Sequence, residues 1–200
     1  MPLSIAEYIP QTDKTRRPLV VWLLSLFIAL TFVGMIVGAP VAAAHNHQGL
    51  ALTIYTTFGT LCHQLPERSF FLEGHKLAVC ARCSGLYSGF TLLLLLYPII
   101  RPLRSTNLWS PKWLFLAAVP MLVDFSLTFF GIWENTHSTR FFTGLLLGGV
   151  TVFYIMPGLV ELSLRITGRS HKRLKSSLTI ATPEAIAAAP TDYSAPERRI

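Results

Sequence analysis

The chain has 200 residues, of which 52% are hydrophobic and 14% are charged, whereas soluble proteins carry about 25% charged residues. This composition excludes an intrinsically disordered chain, a disulfide-dense secreted scaffold and a collagen-like polymer. The net charge of +7 does not indicate nucleic-acid binding, because the basic residues lie between apolar segments rather than on a basic domain. The sequence therefore predicts a membrane protein.

Four apolar segments are long enough to cross about 30 Å of hydrocarbon at 1.5 Å of helix rise per residue. They predict an all-α fold, an integral membrane four-helix bundle, with spans over residues 19–38, 81–100, 113–133 and 141–164. Segment 49–61, about 13 residues long, is too short to cross and is predicted as an interfacial helix before the second span.

The distribution of lysine and arginine predicts the orientation. Thirteen of the 17 lie in the N-terminal segment, the loop after the second span and the C-terminal region, and four lie in the other two loops. Both termini are therefore expected in the cytoplasm of a multi-pass cell-membrane protein. The basic start and the long apolar run resemble a signal peptide, but a run of about 20 residues exceeds the usual 7–15 and favours a retained helix.

Three regions follow from this pattern. Residues 1–18 are a cytoplasmic segment, 19–165 are a four-span membrane domain with an outer Cys/His loop over 40–83, and 166–200 are a cytoplasmic tail. The tail is basic and then rich in alanine, proline and threonine, so it is expected to be disordered, with its basic cluster on anionic lipid headgroups. The expected partner is the lipid bilayer, and the sequence identifies no protein partner.

All three cysteines, Cys62, Cys80 and Cys83, lie in the outer loop or at the start of the second span. Cys80 and Cys83 share one face of the first helical turn, where the helix dipole and Arg82 favour the thiolate. Zinc takes four Cys or His ligands, with a two-residue gap common between paired cysteines. The sequence therefore predicts a transition-metal site, with zinc first and iron or copper as alternatives.

The fourth ligand is expected to be His63 or His75. Adjacent Cys62 and His63 side chains point in different directions on most backbones, so His75 remains a strong alternative. There is no nucleotide or haem signature, because Ser84 stands where c-type haem attachment needs histidine. If the site is catalytic, an open metal position would activate water. If it is structural, the ion holds the outer loop to the second span.

Two other interpretations of the cysteines stay open. An outward face is oxidising, and Cys-x-x-Cys is a redox spacing, so Cys80 and Cys83 also suit a membrane thiol–disulfide oxidoreductase. The odd cysteine, Cys62, weakens that interpretation. In the third interpretation the thiols only pack at a helix start.

Asp124 is an ionisable residue in the middle of the third span, where it costs about 2.5–3.5 kcal/mol on insertion scales. It is expected to face the bundle interior with Arg140 or Arg82 as its partner. A catalytic site would use Asp124, Arg140, Arg82 and Arg68, with the arginines on an anionic headgroup. Alternatively, Asp124 fixes the bundle, or it is the centre of a non-enzymatic membrane subunit or transporter.

Two pairs of glycines are spaced four residues apart, Gly85 with Gly89 and Gly144 with Gly148. Small residues at this spacing let helix backbones approach closely. The second and fourth spans are therefore expected to pack together, which brings the cysteines and Arg140 to the same end of the bundle.

Segments 62–70, CHQLPERSF, and 80–89, CARCSGLYSG, resemble a family of predicted membrane proteins of bacteria and archaea, domain of unknown function two-zero-eight-five. Asp124 and the residues from Arg140 to Gly148 are also similar to that family. The resemblance covers about residues 50–149. It implies a small helical integral membrane protein and brings no activity with it, so whether the protein is an enzyme stays open.

Overall fold

The structure, a computed structural model, describes residues 16–105 and 107–179, with side chains through residue 166. The α-helices in these ranges are α1 (Arg17–Ala44), α2 (Gln48–Gly59), α3 (Ala81–Ile100), α4 (Lys112–Phe129) and α5 (His137–Thr179). Between α2 and α3 lie a 3₁₀ turn, Pro66–Arg68, and two antiparallel strands, β1 (Phe71–Leu72) and β2 (His75–Lys76). The chain divides into two compact units between Glu161 and Leu162, and the packing described below lies in the first.

The predicted four-span architecture is confirmed within the described residues. Four helices are long and apolar enough to cross a membrane, over Arg17–Ala44, Ala81–Ile100, Lys112–Phe129 and His137–Ile166. The short helix predicted before the second span is α2.

The ends of the last two spans differ from the predictions for local reasons. The third helix ends at Phe129 rather than near 133, because Gly131 has a φ of +68° that a helix does not continue. The fourth begins earlier than predicted, at His137, where the hydroxyl of Thr136 caps it by accepting the N–H of Thr139 at 3.2 Å.

The last helix continues to Thr179, so residues 166–179 are helical instead of beginning the disordered tail that the composition predicts. The stretch contains one glycine and no proline, and its lysines, arginines and leucines are strong helix formers. Most of the predicted segment 1–18 and the remainder of the tail lie outside the described residues.

Pro40 determines how α1 meets the loop before α3. It has no N–H to donate to the carbonyl of Ile36, four residues earlier. That carbonyl accepts the N–H of Ala78 instead, at 3.3 Å. Because Ile36 and Ala78 are both buried, this bond satisfies two groups that water cannot reach.

Pro98 has the same effect in α3. It leaves the carbonyl of Leu94 without its helical donor, and the indole Nε1 of Trp22 donates to that carbonyl at 2.8 Å. The bond ties α1 to α3. In both cases a proline leaves a helical carbonyl free, and a donor from another segment of the chain binds that carbonyl instead.

Glycines bring the backbones of α3 and α5 together. A Cβ placed on any of four glycines would collide with the backbone of the opposite helix, and these are Gly85 and Gly89 of α3 and Gly144 and Gly148 of α5. Gly148, for example, faces the carbonyl of Leu86. The close packing of the second and fourth spans follows the prediction from glycine spacing, and it sets α3 and α5 to begin at the same end of the bundle.

Candidate metal centre

Cys62 lies just after α2, at the edge of an apolar cluster that joins α1, α2 and the start of α3. Its N–H donates to the carbonyl of Phe58 at 2.9 Å, which turns the chain inward. The side chain is buried beside Ile36, Phe58 and Val79. Its sulfur accepts the backbone N–H of Cys80 at 3.3 Å. This hydrogen bond joins the loop after α2 to the residue that directly precedes α3.

Cys80 directly precedes α3, and Cys83 lies in the first turn of that helix. With Cys62 they form the thiol cluster, in which the three sulfur atoms lie within 4.8 Å of one another. Among the described residues, no other set of three histidines, cysteines or carboxylates comes this close together. The three cysteines are free thiols. Cys80 and Cys83, which follow Cys62 by 18 and 21 residues in sequence, are thus its neighbours in space.

The surroundings of Cys80 favour its thiolate. Chiefly because the Cys83 thiol donates a hydrogen bond to its sulfur, the pKa of Cys80 falls from 9.0 to about 5, although burial acts in the opposite direction. The backbone amides of Cys83 and Arg82 and the Cys62 side chain contribute in the same sense as the Cys83 thiol. The predicted preference for thiolate is therefore present, and its main cause is the neighbouring thiol rather than the charge of Arg82.

Three hydrogen bonds hold the loop that returns Cys80 to Cys62. The hydroxyl of Tyr55 donates to the carbonyl of Lys76 at 2.5 Å, and the ammonium of Lys76 donates to the carbonyl of Gln64 at 2.7 Å. The amide of Gln64 closes the ring by donating to the carbonyl of Tyr55 at 2.7 Å. The ring anchors the end of β2 to α2, four residues before Cys80.

The turn between β1 and β2 has two residues, Glu73 and Gly74, and both have positive φ, of 51° and 78°. Such a turn matches the twist of a two-stranded hairpin and favours glycine at its second position. The hairpin reverses the chain within a few residues, so the loop can leave and re-enter the same end of the bundle.

A polar network lies next to the thiol cluster. Nη2 of Arg82 donates to Oδ2 of Asp124 at 2.8 Å. The same oxygen accepts Nδ2 of Asn135 at 2.8 Å, and Oδ1 of Asn135 accepts Nε of Arg140 at 2.5 Å. Of the two arginines predicted as partners of Asp124, Arg82 binds it directly and Arg140 is connected through the asparagine.

A cavity of about 470 Å³ opens beside the thiol cluster, and all three cysteines line it. Arg68, Arg82 and Arg140 also line it. The other lining residues are Leu61, His63, Gln64, Leu65, Phe125, Thr128, Phe129 and Asn135. The cysteines and Arg140 therefore share one end of the bundle, as the glycine spacing predicts.

The two histidines predicted as the fourth ligand lie in different places. His63 is exposed and lines the cavity with the thiols. His75 is exposed on β2 and does not line it. Neither imidazole belongs to the group of sulfurs within 4.8 Å, and of the two only His63 shares the cavity with the thiols.

Two residues of the site are not singled out by the sequence pattern. Phe125 follows Asp124 in α4, and its ring centre lies 5.7 Å from the guanidinium carbon of Arg82. Asn135 connects Asp124 to Arg140. The sequence feature that could have indicated Asn135 is that it is the one amide side chain in the short loop between the third and fourth spans.

Comparisons with known proteins agree with a membrane protein. A family described as "Predicted membrane protein (DUF2085)" matches residues 62–154, a range that holds the thiol cluster and the polar network. An uncharacterized protein of Methanocaldococcus jannaschii is 39% identical over 113 residues, which are 56% of this chain and 72% of that protein. An uncharacterized protein of Methanothermobacter thermautotrophicus is 36% identical over 89 residues, 44% of this chain and 78% of that protein. No solved structure matches.

Proposed function

The chain belongs to the family described as predicted membrane protein (DUF2085), and on that premise we propose that it carries a zinc-type transition-metal site at the extracytoplasmic face of the cell membrane. The ligands are the thiol cluster, Cys62, Cys80 and Cys83, with His63 as the fourth. One observation carries the proposal: the three sulfur atoms lie within 4.8 Å of one another.

The spacing of the sulfurs supports a tetrahedral ion. Zinc–sulfur bonds of about 2.3 Å in a tetrahedron separate the sulfurs by about 3.8 Å. The distances within the thiol cluster are at most 4.8 Å, so closing the cluster on an ion requires adjustments of about 1 Å or less between sulfurs. Side-chain rotations provide movements of that size without a change in the backbone.

The chemistry of the donors also supports a metal. Cysteine binds metals as thiolate, and the Cys83 thiol favours that form in Cys80 by lowering its pKa. The neighbouring guanidinium groups of Arg82 and Arg140 offset the negative charge that three thiolates bring. A cavity with only apolar walls would disfavour three thiolates, because nothing would offset their charge.

His63 is preferred over His75 for the fourth position because it lines the same cavity as the thiols and His75 does not. With histidine bound, the site is closed and holds the loop to the start of α3, as structural zinc sites do. With water in that position, the ion would activate the water for hydrolysis of a ligand in the cavity. Substitution of each histidine distinguishes the two ligands.

The positive-inside pattern supports the outward placement. Thirteen of the 17 lysines and arginines lie in segments that belong to one side, and four lie in the loops that carry the thiol cluster and Arg140. Both termini are thus proposed to be cytoplasmic. The basic residues between 165 and 175 are proposed to contact anionic lipid headgroups there.

Elemental analysis of the purified full chain in detergent tests the proposal. We expect about one zinc ion per chain, and loss of that zinc in Cys62→Ser, Cys80→Ser and Cys83→Ser. His63→Ala should bind zinc more weakly, whereas His75→Ala and His47→Ala should bind it like the parent chain.

Because a serine variant can also fail to fold, thiol alkylation of the unaltered chain provides a second measurement. Zinc should protect all three thiols, and a chelator should expose them together. A folded preparation that contains no transition metal, even after incubation with zinc, contradicts the proposal.

A membrane thiol–disulfide oxidoreductase is the second candidate, favoured by the hydrogen bond between the Cys83 thiol and the Cys80 sulfur. The Cys80 thiolate would attack a substrate disulfide and release one sulfur as thiolate. Cys83 would then transfer its proton to the released thiolate and displace the second sulfur. The substrate gains two electrons, and a Cys80–Cys83 disulfide forms. This candidate predicts metal-free protein in which reductant increases the thiol count by two.

A further inference from the structure

Three guanidinium groups line the cavity, and one carboxylate, that of Asp124, contacts one of them. Arg68 and Arg82 are close enough to repel the charge of Arg140. Asp124 binds Arg82 and offsets one of the three charges. Like charges that share a cavity are unfavourable without a negative partner. Asp124 therefore leaves two of the three positive charges without a negative partner.

The thiol cluster does not neutralise all of this positive charge. With zinc bound, three thiolates and a divalent ion leave one negative charge, and Asp124 adds another against the three arginines. The cavity then keeps one positive charge in excess, so the arginines do more than neutralise sulfur.

Several hydrogen-bond donors of these arginines are unused. Nε of Arg82 is buried and has no hydrogen-bond partner among the described residues. Arg140 uses its Nε for Asn135. The guanidinium of Arg68 makes no hydrogen bond or ion pair within the part of the chain that the structure describes, and it lines the cavity. Arg68 and Arg140 therefore have guanidinium donors left for a ligand in the cavity.

From this arrangement we infer that the cavity binds a phosphate-type oxyanion, held by Arg68 and Arg140 with support from Arg82, next to the thiol cluster. Guanidinium groups pair with phosphate through two parallel hydrogen bonds, which gives both geometry and charge complementarity. A carboxylate would meet fewer of these donors, because it has two oxygens rather than three or four.

The cavity has room for more than the oxyanion. Its volume of about 470 Å³ lies in the range of sites that enclose small organic ligands, about 300–1,000 Å³. Apolar side chains, among them Leu61, Leu65 and Phe129, form part of the wall. The anion can therefore be free phosphate or the phosphate of a lipid headgroup.

The inference rests on the proposed function for the place of the ligand beside the thiols, but binding by the arginines does not need the ion. The test measures inorganic phosphate binding by calorimetry, with the full chain reconstituted in phosphatidylcholine vesicles, once loaded with zinc and once treated with chelator. We expect saturable binding in both states. If the chain binds zinc but not phosphate, this inference is wrong and the proposed metal site stands. If it binds phosphate but not zinc, the metal site is wrong and this inference stands.

Variants of single arginines locate the site. Arg68→Gln and Arg140→Gln should each weaken phosphate binding about tenfold or more, and Arg68→Lys should weaken it less. Arg104→Gln, with the same charge change on an exposed side chain outside the cavity, should have no effect. Equal weakening by all the glutamine variants would show a diffuse charge effect and overturn the inference. Arg68 is exposed in the loop, so its variants are expected to fold.

A second lipid composition identifies the source of the anion. Addition of phosphatidic acid to the vesicles should reduce the apparent affinity for inorganic phosphate if a lipid headgroup enters the cavity. Unchanged affinity assigns the cavity to free phosphate. Both results support an oxyanion site. Absence of saturable phosphate binding in both kinds of vesicle contradicts it.

Discussion

The carboxylate of Asp124 accepts a hydrogen bond from Arg82 at 2.8 Å, and this ion pair joins α4 to the first turn of α3. Helix α4 makes few other contacts with the bundle, because Ala117 is its one buried residue. At the other end of the helix, the ring of Trp109 stacks on Phe153 at 4.4 Å. The ion pair therefore determines where α4 lies beside the cavity.

Asp124→Asn should destabilise the fold because it leaves the Arg82 charge without its partner. Breaking a fully buried pair costs about 3–5 kcal/mol, and we expect about 2 kcal/mol here because a quarter of the Arg82 side chain remains exposed. Thermal unfolding in detergent measures the effect. Glu134→Gln, the same change on an exposed loop residue, should leave stability unchanged.

A double-mutant cycle tests whether the two side chains act as a pair. The double variant Arg82→Gln with Asp124→Asn should be little less stable than the worse single variant, since neither charge is then left alone. Simple addition of the two single effects would show that Arg82 and Asp124 are not energetically coupled.

Gly148→Ala should separate α3 from α5, because the new Cβ would overlap the carbonyl of Leu86. Overpacking of this kind costs about 1–3 kcal/mol, and the loss should appear as a lower unfolding temperature. Gly34→Ala is the matched control, since its Cβ meets no atom within 4 Å. If the two variants unfold alike, the glycines do not determine the contact between the helices.

Alkylation of Cys80 in chelator-treated protein should remain fast down to a pH of about 5, where its thiolate begins to be protonated. Since its folded-state pKa lies below the ordinary value of 9.0, the thiolate stabilises the fold fully above that value and loses this contribution as pH falls toward 5. Mass spectrometry of the labelled protein across pH checks this.

Cys83→Ala is the informative comparison for the same measurement. It removes the thiol that donates to Cys80, so the midpoint of alkylation should move up toward the ordinary range of cysteine. A midpoint that is near neutral or higher in both proteins, and equal in the two, would exclude the hydrogen bond as the cause.

Tyr55→Phe should speed the release of zinc to a chelator by loosening the loop that returns Cys80 to Cys62. It removes the hydroxyl that donates to Lys76, and we expect a stability loss of about 0.5–1.5 kcal/mol. Tyr154→Phe removes an equivalent hydroxyl bond, to Ser110, away from the cavity. It should leave zinc release unchanged; similar acceleration by both variants would mean that the loop ring does not control the metal.

The membrane-spanning helices and the contact between α3 and α5 were accessible from the sequence. Each span is a continuous apolar segment, and the close approach of two helices depends on small residues four positions apart, such as Gly85 and Gly89. Both are local properties of a helix. The pairing of Cys80 with Cys83 on one turn has the same origin.

The choice between equivalent partners depended on tertiary structure. Arg82 and Arg140 were both predicted near Asp124, and the rotation of the helices about their own axes, together with the intervening Asn135, decided which one binds it directly. A shift of one residue turns a side chain by about 100° on a helix, and composition does not determine that angle.

Chain order alone determined that the three cysteines lie on one side of the membrane-spanning bundle, because no membrane-spanning helix separates Cys62 from Cys80 and Cys83 in the sequence. The meeting of Cys62 with Cys80 was decided in space, by a carbonyl that Pro40 leaves free, by the ring of Tyr55, Gln64 and Lys76, and by a two-residue hairpin turn. These contacts join residues far apart in sequence, and such contacts exist only once the chain has folded.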